Sequence, residues 1–452
     1  MEALKAREKV GYALGDFASC LVWQSISIYL LFYFTNVAGV EQDAAVAIIS
    51  ATKIIDGVTD ILMGFLVDRT RTRFGKVRPY LLTMGLPLAV STVMLFTVPA
   101  SFSVHGKLVW IFIFYNLTTS VCYTALNVPY AGMHNFLTDD SMERSRLSII
   151  RLIFAFSAQV LVNAVVFSMV RGLGGGELTD QAGWTRTMIV LGAGTFVLAL
   201  LCFFSTKERV GSDPSQARPP VKDSLKAIVR NPWLLLLLGA TLLSFTANIL
   251  VGSSAAYYAN FVLHDVDATG QITNAMTIAQ VLGLVFIVPV LIRRFSKRVI
   301  YQTGIAAIAA ASLLSRIAPD NLHVLLALNA VKGVAMGATT SMLYAMCADA
   351  IDYGEYRTGV RAAGLGTALL QCMGKFGMGL GTALMGVVLA RGGFAAAAET
   401  QTPGAINALI SVYTVIPGVI QALALSVMFF YRLDGIYPEV ARTLRERREK
   451  RE

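Results

Sequence analysis

Long apolar runs separated by short polar stretches organise this chain, and each run is long enough to cross a hydrocarbon core of about 30 Å as a helix rising about 1.5 Å per residue. The runs begin near Tyr12, Ala45, Tyr80, Lys107, Leu147, Thr185, Pro232, Gln271, Val299, Leu322, Ala363 and Ile406. That pattern predicts twelve transmembrane helices and an all-α membrane protein. Between Lys207 and Arg230 the chain turns polar and Pro-rich, with Gly211, Pro214, Pro219 and Pro220. This stretch separates six predicted spans from six. The expected organisation is a six-helix bundle over residues 1–206, a linker over 207–230, a second six-helix bundle over 231–432 and a tail over 433–452.

The polar positions add orientation. Lys5, Arg7 and Lys9 precede the first run, five basic residues lie between Arg69 and Arg78, and the linker carries Lys207, Arg209, Arg218, Lys222, Lys226 and Arg230. Arg293, Arg294, Lys297 and Arg298 follow, then the basic tail from Arg442 to Arg451. With an even number of spans all of these fall on one side, so both termini are expected to be cytoplasmic in a multi-pass protein of the plasma (inner) membrane. The net charge of +10 therefore reports topology. These groups alternate with spans and form no compact basic domain, which argues against a nucleic-acid partner. Met1 to Val10 is polar and the first apolar run has spanning length without a small-residue cleavage pattern, so helix one is expected to stay in the membrane.

Composition agrees with that picture. Hydrophobic residues make up 55% of the 452 positions and charged residues 15%, against about 25% charged in soluble chains. The five cysteines (Cys20, Cys122, Cys202, Cys347, Cys372) are scattered through apolar segments without metal-ligand spacing and read as small core residues. His105, His134, His264 and His323 lie near span ends, which argues against a haem or zinc site. No HExxH, GxSxG or nucleotide-binding loop is present, so enzyme chemistry is not expected. A channel is disfavoured because no filter sequence or repeated pore-lining ring occurs.

Inside the second run sit Asp56 and Asp60, one turn apart on one helix face, with Lys53 on the same stripe. Each ionised Asp at a helix centre costs roughly 2.5 to 3.5 kcal/mol, so a fold retains such a pair when something neutralises it. Counting back from Asp68, Asp60 lies about 12 Å and Asp56 about 18 Å along the helix, near the bilayer middle. A proton or a sodium ion would satisfy them, helped by the hydroxyls of Thr59 and Thr124. The alternative is that both acids pair with Lys53 and Lys375 to hold helices together. On helix one, Asp16 and Trp23 share a face, a carboxylate beside an indole that suits a sugar. Arg151, early in helix five, offers paired donors to hydroxyls.

Each half also carries a basic hairpin between its second and third spans, Gly64 to Pro79 in the first and Arg293 to Arg298 in the second. Two six-helix bundles in parallel repeat, with a site near the midplane, is the architecture of the major facilitator transporters. Asp56-Gly-Val-Thr59-Asp60, running into Asp68-Arg-Thr-x-Thr-Arg73-x-Gly-Lys-x-Arg78-Pro79, resembles the signature of the glycoside-pentoside-hexuronide:cation symporter family, and is melibiose permease-like. Tyr123-Thr124-Ala-Leu-Asn127-Val-Pro129-Tyr130 resembles that family's fourth helix, and Ala348-Asp349-Ala-Ile-Asp352-Tyr353-Gly354-Glu355-Tyr356 its tenth-helix exit. Lys375 matches a lysine of the eleventh helix, and Leu433-Asp434-Gly-Ile-Tyr437 the closing segment.

The resemblance implies a secondary active symporter that imports a glycoside, pentoside or hexuronide by alternating access, driven by sodium or protons. A gradient-independent facilitator and a lysolipid-type transporter of the same fold are the alternatives. It implies cation binding at Asp56, Asp60 and Thr124, with Asp56 and Asp60 as sodium ligands if sodium is the ion, and Thr59 replaces the family's asparagine. It implies substrate recognition by Asp16, Asn127 and Arg151; Trp23, on the same face as Asp16, and Lys375 are expected to join them. Asn127 replaces an aspartate, Gly15 a lysine and Ala131 a tryptophan, so the solute is expected to differ. Lys53, Asp68, Arg73, Arg78, Asp352, Glu355 and Arg361 are the expected gating residues, through exposed ion pairs worth about 0 to 1 kcal/mol each. No cofactor beyond the coupling ion is expected, and the expected partners are a small-molecule sugar or glycoside and membrane lipids, with a monomer as the assembly.

Overall fold

The structure is a computed structural model that describes residues 4–138, 141–209, 221–360, 363–395, 398 and 400–449. The chain is helical almost throughout: α1 Ala6–Asn36, α2 Gln42–Arg69, α3 Arg78–Leu95, α4 Val104–Gly132, α5 Ser141–Leu173 and α6 Gln181–Ser205 make the first half. The short helix Val221–Val229 follows, then α7 Pro232–Phe261, α8 Ala268–Arg294, α9 Lys297–Leu314, α10 Leu322–Thr358, α11 Ala363–Arg391, α12 Pro403–Phe429 and a tail helix Leu433–Glu449. Among the described residues nine helices are long and apolar enough to cross a membrane. The helices α2, α3 and α9 fall outside that group. Of these α2 has the length, 28 residues, but carries Lys53, Asp56, Asp60 and Asp68.

Helices start where side chains can satisfy their first backbone N–H groups. Ser103 accepts from Gly106 N at 3.2 Å to open α4, and Asn321 accepts from Val324 N at 3.2 Å to open α10. Asp180 does the same for α6, accepting from Ala182 N at 2.9 Å and from Gly175 N at 2.7 Å. At the other end of α10, Gly359 takes φ +71°, the left-handed cap that closes a helix without a Cβ clash.

Two compact units emerge. One comprises residues 1–213, 252–274 and 382–409, the other 214–251, 275–381 and 410–452. The first is anchored by Trp184, fully buried against Tyr29, Tyr33, Phe96 and Phe167 with ring centroids 5.6 to 6.2 Å away. In the second, Leu237, Ile300, Tyr301, Met342, Met346, Met428 and Tyr431 form the core. Close helix approach there rests on glycine: a Cβ at Gly377 or Gly381 of α11 would strike the backbone of α7.

Candidate functional site

On α2 the hydrophobic residues Ile55, Val58, Leu62 and Leu66 recur at helical spacing and keep 36% to 57% of their surface exposed. They form the outward face of a helix in an apolar environment. Thr52, Lys53, Asp56 and Met63 are buried on the other side, and Asp60 is half-buried. The helix therefore turns its charges inward and its aliphatic residues out, the arrangement that the cost of burying charge in lipid demands.

Asp56 is 1% exposed and its carboxylate is satisfied from three directions. Oδ1 accepts from Thr119 Oγ1 at 3.0 Å and from Ser120 Oγ, and Oδ2 accepts from Lys53 Nζ at 3.1 Å. The Lys53 ammonium also lies 4.7 Å from the Trp23 ring centroid and 5.5 Å from that of Tyr115. The sequence pattern groups Lys53 with the gating residues. Its side chain lies inside the Asp56 cluster, because residues three apart on a helix face each other, and the Trp23 and Tyr115 rings flank its ammonium. One turn along, Asp60 Oδ1 accepts from Thr124 Oγ1 at 2.9 Å. Thr59 donates to the Asp56 backbone carbonyl at 3.1 Å, so its hydroxyl proton is held by its own helix.

Thr119 and Ser120 are not among the sequence candidates. They reach Asp56 because residues Leu117–Tyr123 of α4 form a π turn, which widens the helix by one residue and rephases every position beyond it. The run Thr118-Thr119-Ser120 within an apolar span is the one signal that could have found them.

Next to this cluster lies a second set from α1, α4 and α5. Arg151 Nε donates to Asp16 Oδ2 at 2.9 Å, and its guanidinium stands 5.8 Å from the Tyr130 ring. Tyr130 stacks on Tyr12 at 5.0 Å and donates to the Tyr12 carbonyl at 2.7 Å. A Cβ at Gly15 would meet the Tyr130 ring, so the small residue lets α1 and α4 approach here. Trp23 stacks on Tyr123 at 5.0 Å, and Asn127 Nδ2 donates to the Tyr123 hydroxyl at 3.2 Å. Through Trp23, which touches both Lys53 and Tyr123, the set joins the Asp56 cluster. Further along α1 and α5, Gln24 bonds Asn163 and Gln159, each at 2.9 Å.

The hairpin after α2 is held within the first unit. The Glu208 carboxylate accepts from the backbone N–H groups of Lys76, Val77 and Arg78 at 2.8, 2.9 and 3.0 Å, a negative charge on the start of α3. Gly75, at φ +107°, leaves room for that carboxylate. Arg78 donates to the Phe203 carbonyl at 2.8 Å, and the Arg73 guanidinium lies 4.7 Å from the Phe74 ring. The side chain of Asp68 and the whole of Arg361 lie outside the described residues. In the second unit, Lys297 pairs with Asp349 at 2.6 and 2.8 Å, and Tyr437 donates to Asp352 at 3.1 Å. Burial first, then the charges of Asp349 and Asp352, push the Tyr437 phenol up from its usual pKa and keep it a donor. Glu355 and Lys375 are half-buried on α10 and α11. No group of three His, Cys, Asp or Glu is placed to hold a metal ion among the described residues.

Comparison with known proteins gives a consistent result. The family model for MFS/sugar transport protein matches residues 11–435. The chain is 30% identical over 443 residues to an isoprimeverose transporter of Lactiplantibacillus pentosus, covering 97% of this chain and 91% of that protein. It is also 30% identical to the putative glycoside/cation symporter YagG of Escherichia coli (strain K12), covering 98% and 96%. A glucuronide carrier protein homolog of the same organism is 30% identical, covering 97% and 95%. Among solved structures, a D-xylose-proton symporter superposes with TM-score 0.68 over 95% of this chain and 98% of that one at 14% identity, a likeness of fold.

Proposed function

The chain belongs to the MFS/sugar transport family, in its glycoside-pentoside-hexuronide:cation symporter group, and from that premise we propose that it imports a glycoside, pentoside or hexuronide together with a sodium ion or a proton. The protein is a multi-pass membrane transporter and not an enzyme. The observation that carries the proposal is the carboxylate Asp56, buried on the inward face of α2 amid Thr119, Ser120 and Lys53, with Asp60 and Thr124 one turn away. These groups bring two carboxylates and three hydroxyls to adjacent turns, hard oxygens that suit a small monovalent cation. Lys53 acts as the resident counter-charge. A cation arriving at Asp56 competes with that ammonium, and because Lys53 leans on Trp23, its displacement reaches the side chains assigned to the solute.

For the solute, Arg151 and Asp16 offer donor and acceptor beside the Trp23–Tyr123 stack and the Asn127 amide, a combination suited to hydroxyls and a sugar's C–H face. The relatives named for isoprimeverose and glucuronide support a sugar or sugar acid as the cargo. Alternating access, with the basic hairpins as gates on a cytoplasmic side that also holds both termini, completes the reading. Lys375 is proposed to bias the coupling step by its positive charge.

Uptake by proteoliposomes under a sodium gradient, a proton gradient or neither, against a panel of glycosides, pentoses and uronides, tests the proposal. Accumulation must follow one gradient, and it must disappear in Asp60→Asn while counterflow exchange persists. Cation stimulation that is unchanged in Lys375→Ala removes Lys375 from coupling. The Lys53–Asp56 ion pair favours one other reading, a facilitator in which that pair is permanent. Equal, non-accumulating uptake under all three conditions would establish it.

A further inference from the structure

The second unit holds a cavity of about 80 Å³ among α7, α8, α9, α10 and α12. Lys332 lines it and is 2% exposed. Its ammonium donates to Asn329 Oδ1 at 3.2 Å and stands 5.4 Å from the Tyr413 ring, while Asn329 itself donates to the Tyr413 hydroxyl at 2.9 Å. Among the described residues no carboxylate pairs with Lys332, and a single acceptor serves three N–H donors. On the same cavity wall Ser312, 1% exposed, has a hydroxyl without a hydrogen-bond partner. Ser244, Asn248, Tyr301, Thr339 and Thr340 add further polar groups, and no Asp or Glu lines the space. The remaining wall is apolar, from residues such as Met276, Met336 and Ile305.

An ammonium taken out of water without a counter-ion is costly, and so is an unsatisfied buried hydroxyl. Both costs fall on one small cavity, and both are relieved by the same kind of guest: one negative charge with oxygen acceptors. The apolar wall selects against a bare ion, which would gain nothing from methionine and isoleucine, and in favour of a short carbon body. We propose that this cavity is a binding site for a small organic carboxylate, its oxygens on Lys332 Nζ and Ser312 Oγ and its carbon chain against Met276, Met336 and Ile305. The site is built wholly within the second unit and uses none of the residues assigned above to cation or sugar.

Propionate is the probe, propionamide its uncharged isostere and chloride the bare anion, each titrated calorimetrically into the purified full-length protein in lipid nanodiscs. Propionate is expected to bind roughly tenfold or more tightly than propionamide, the margin of a charge-assisted hydrogen bond. Its binding is expected to vanish in Lys332→Met and to weaken several-fold in Ser312→Ala. Should Lys332→Met fail to fold, Ser312→Ala, which removes only the orphan hydroxyl, still decides the matter. Equal affinity for propionate and propionamide overturns the proposal, as does undiminished binding in either folded variant. Chloride that competes at lower concentration than propionate also overturns it, since the cavity would then be a halide site.

Discussion

Among the described residues each unit buries one lysine, and the surroundings of the two differ. Lys53 has a carboxylate three residues ahead, two hydroxyls on that carboxylate and two aromatic rings on its own flank. Lys332 has an amide three residues behind, one aromatic ring and a cavity. A completed ion pair holds its charges until a competitor arrives, which is the requirement of a coupling site. An uncompleted one leaves a demand for charge that a guest can meet. The chemical difference comes down to Asp56 against Asn329, an acid against its isosteric amide.

The largest effect is expected from breaking the first pair. Asp56→Ala strands the Lys53 ammonium and is expected to cost roughly 3 to 5 kcal/mol of stability, along with all concentrative uptake. The double variant Lys53→Met with Asp56→Leu is expected to recover the stability, measured as the unfolding midpoint in nanodiscs, and to leave uptake at zero. Recovery of uptake as well would make the pair structural. Next in size is the conversion of the second cluster into the first: Asn329→Asp should complete an ion pair with Lys332 and lower propionate affinity roughly tenfold or more.

A smaller effect is expected at the hairpin. Glu208→Gln replaces a carboxylate acceptor by a neutral one for three backbone N–H groups, and about 1 to 2 kcal/mol of local stability should be lost, read as faster amide exchange at Lys76 to Arg78. The smallest concerns Asp180, partly exposed at the start of α6. Hydrogen bonds from Gly175 and Ala182 hold its carboxyl below the usual carboxylate range. Its folded-state pKa is depressed, so its contribution is full above the unfolded value and fades as pH falls through the folded one. Asp180→Asn should remove that acid-side dependence, read as a small drop in the unfolding midpoint at neutral pH that disappears as the pH is lowered.

Much of the fold was legible because lipid makes hydropathy decisive. The apolar runs begin where helices do or within about a turn and a half after: Tyr12 against Ala6, Leu147 against Ser141, and identity at Pro232, Leu322 and Ala363. The offset arises because first turns carry polar residues and caps such as Asp180, which an apolar window skips. At the site, spacing on one helix sufficed to place Asp56, Asp60 and Lys53 on a common face. Thr119 and Ser120 were hidden because an ideal helical wheel assigns them the wrong direction once a π turn intervenes. Glu208 and Lys332 were hidden for another reason. Each is a single charge in ordinary sequence surroundings, and its meaning comes from the groups that tertiary packing brings to it, three backbone N–H groups in one case and a cavity in the other.

The π turn has an evolutionary corollary. Residues before and after it on α4 are phased by one extra position, about 100° of rotation. Deleting one residue there would leave Trp110 and Phe114 in place, swing Asn127 and Tyr130 round the axis near Arg151, and at the same time withdraw the Thr119 and Ser120 hydroxyls from Asp56. A lineage of such carriers thus has a dial, a single codon gained or lost, that turns cargo preference and the surroundings of the energy-coupling acid together.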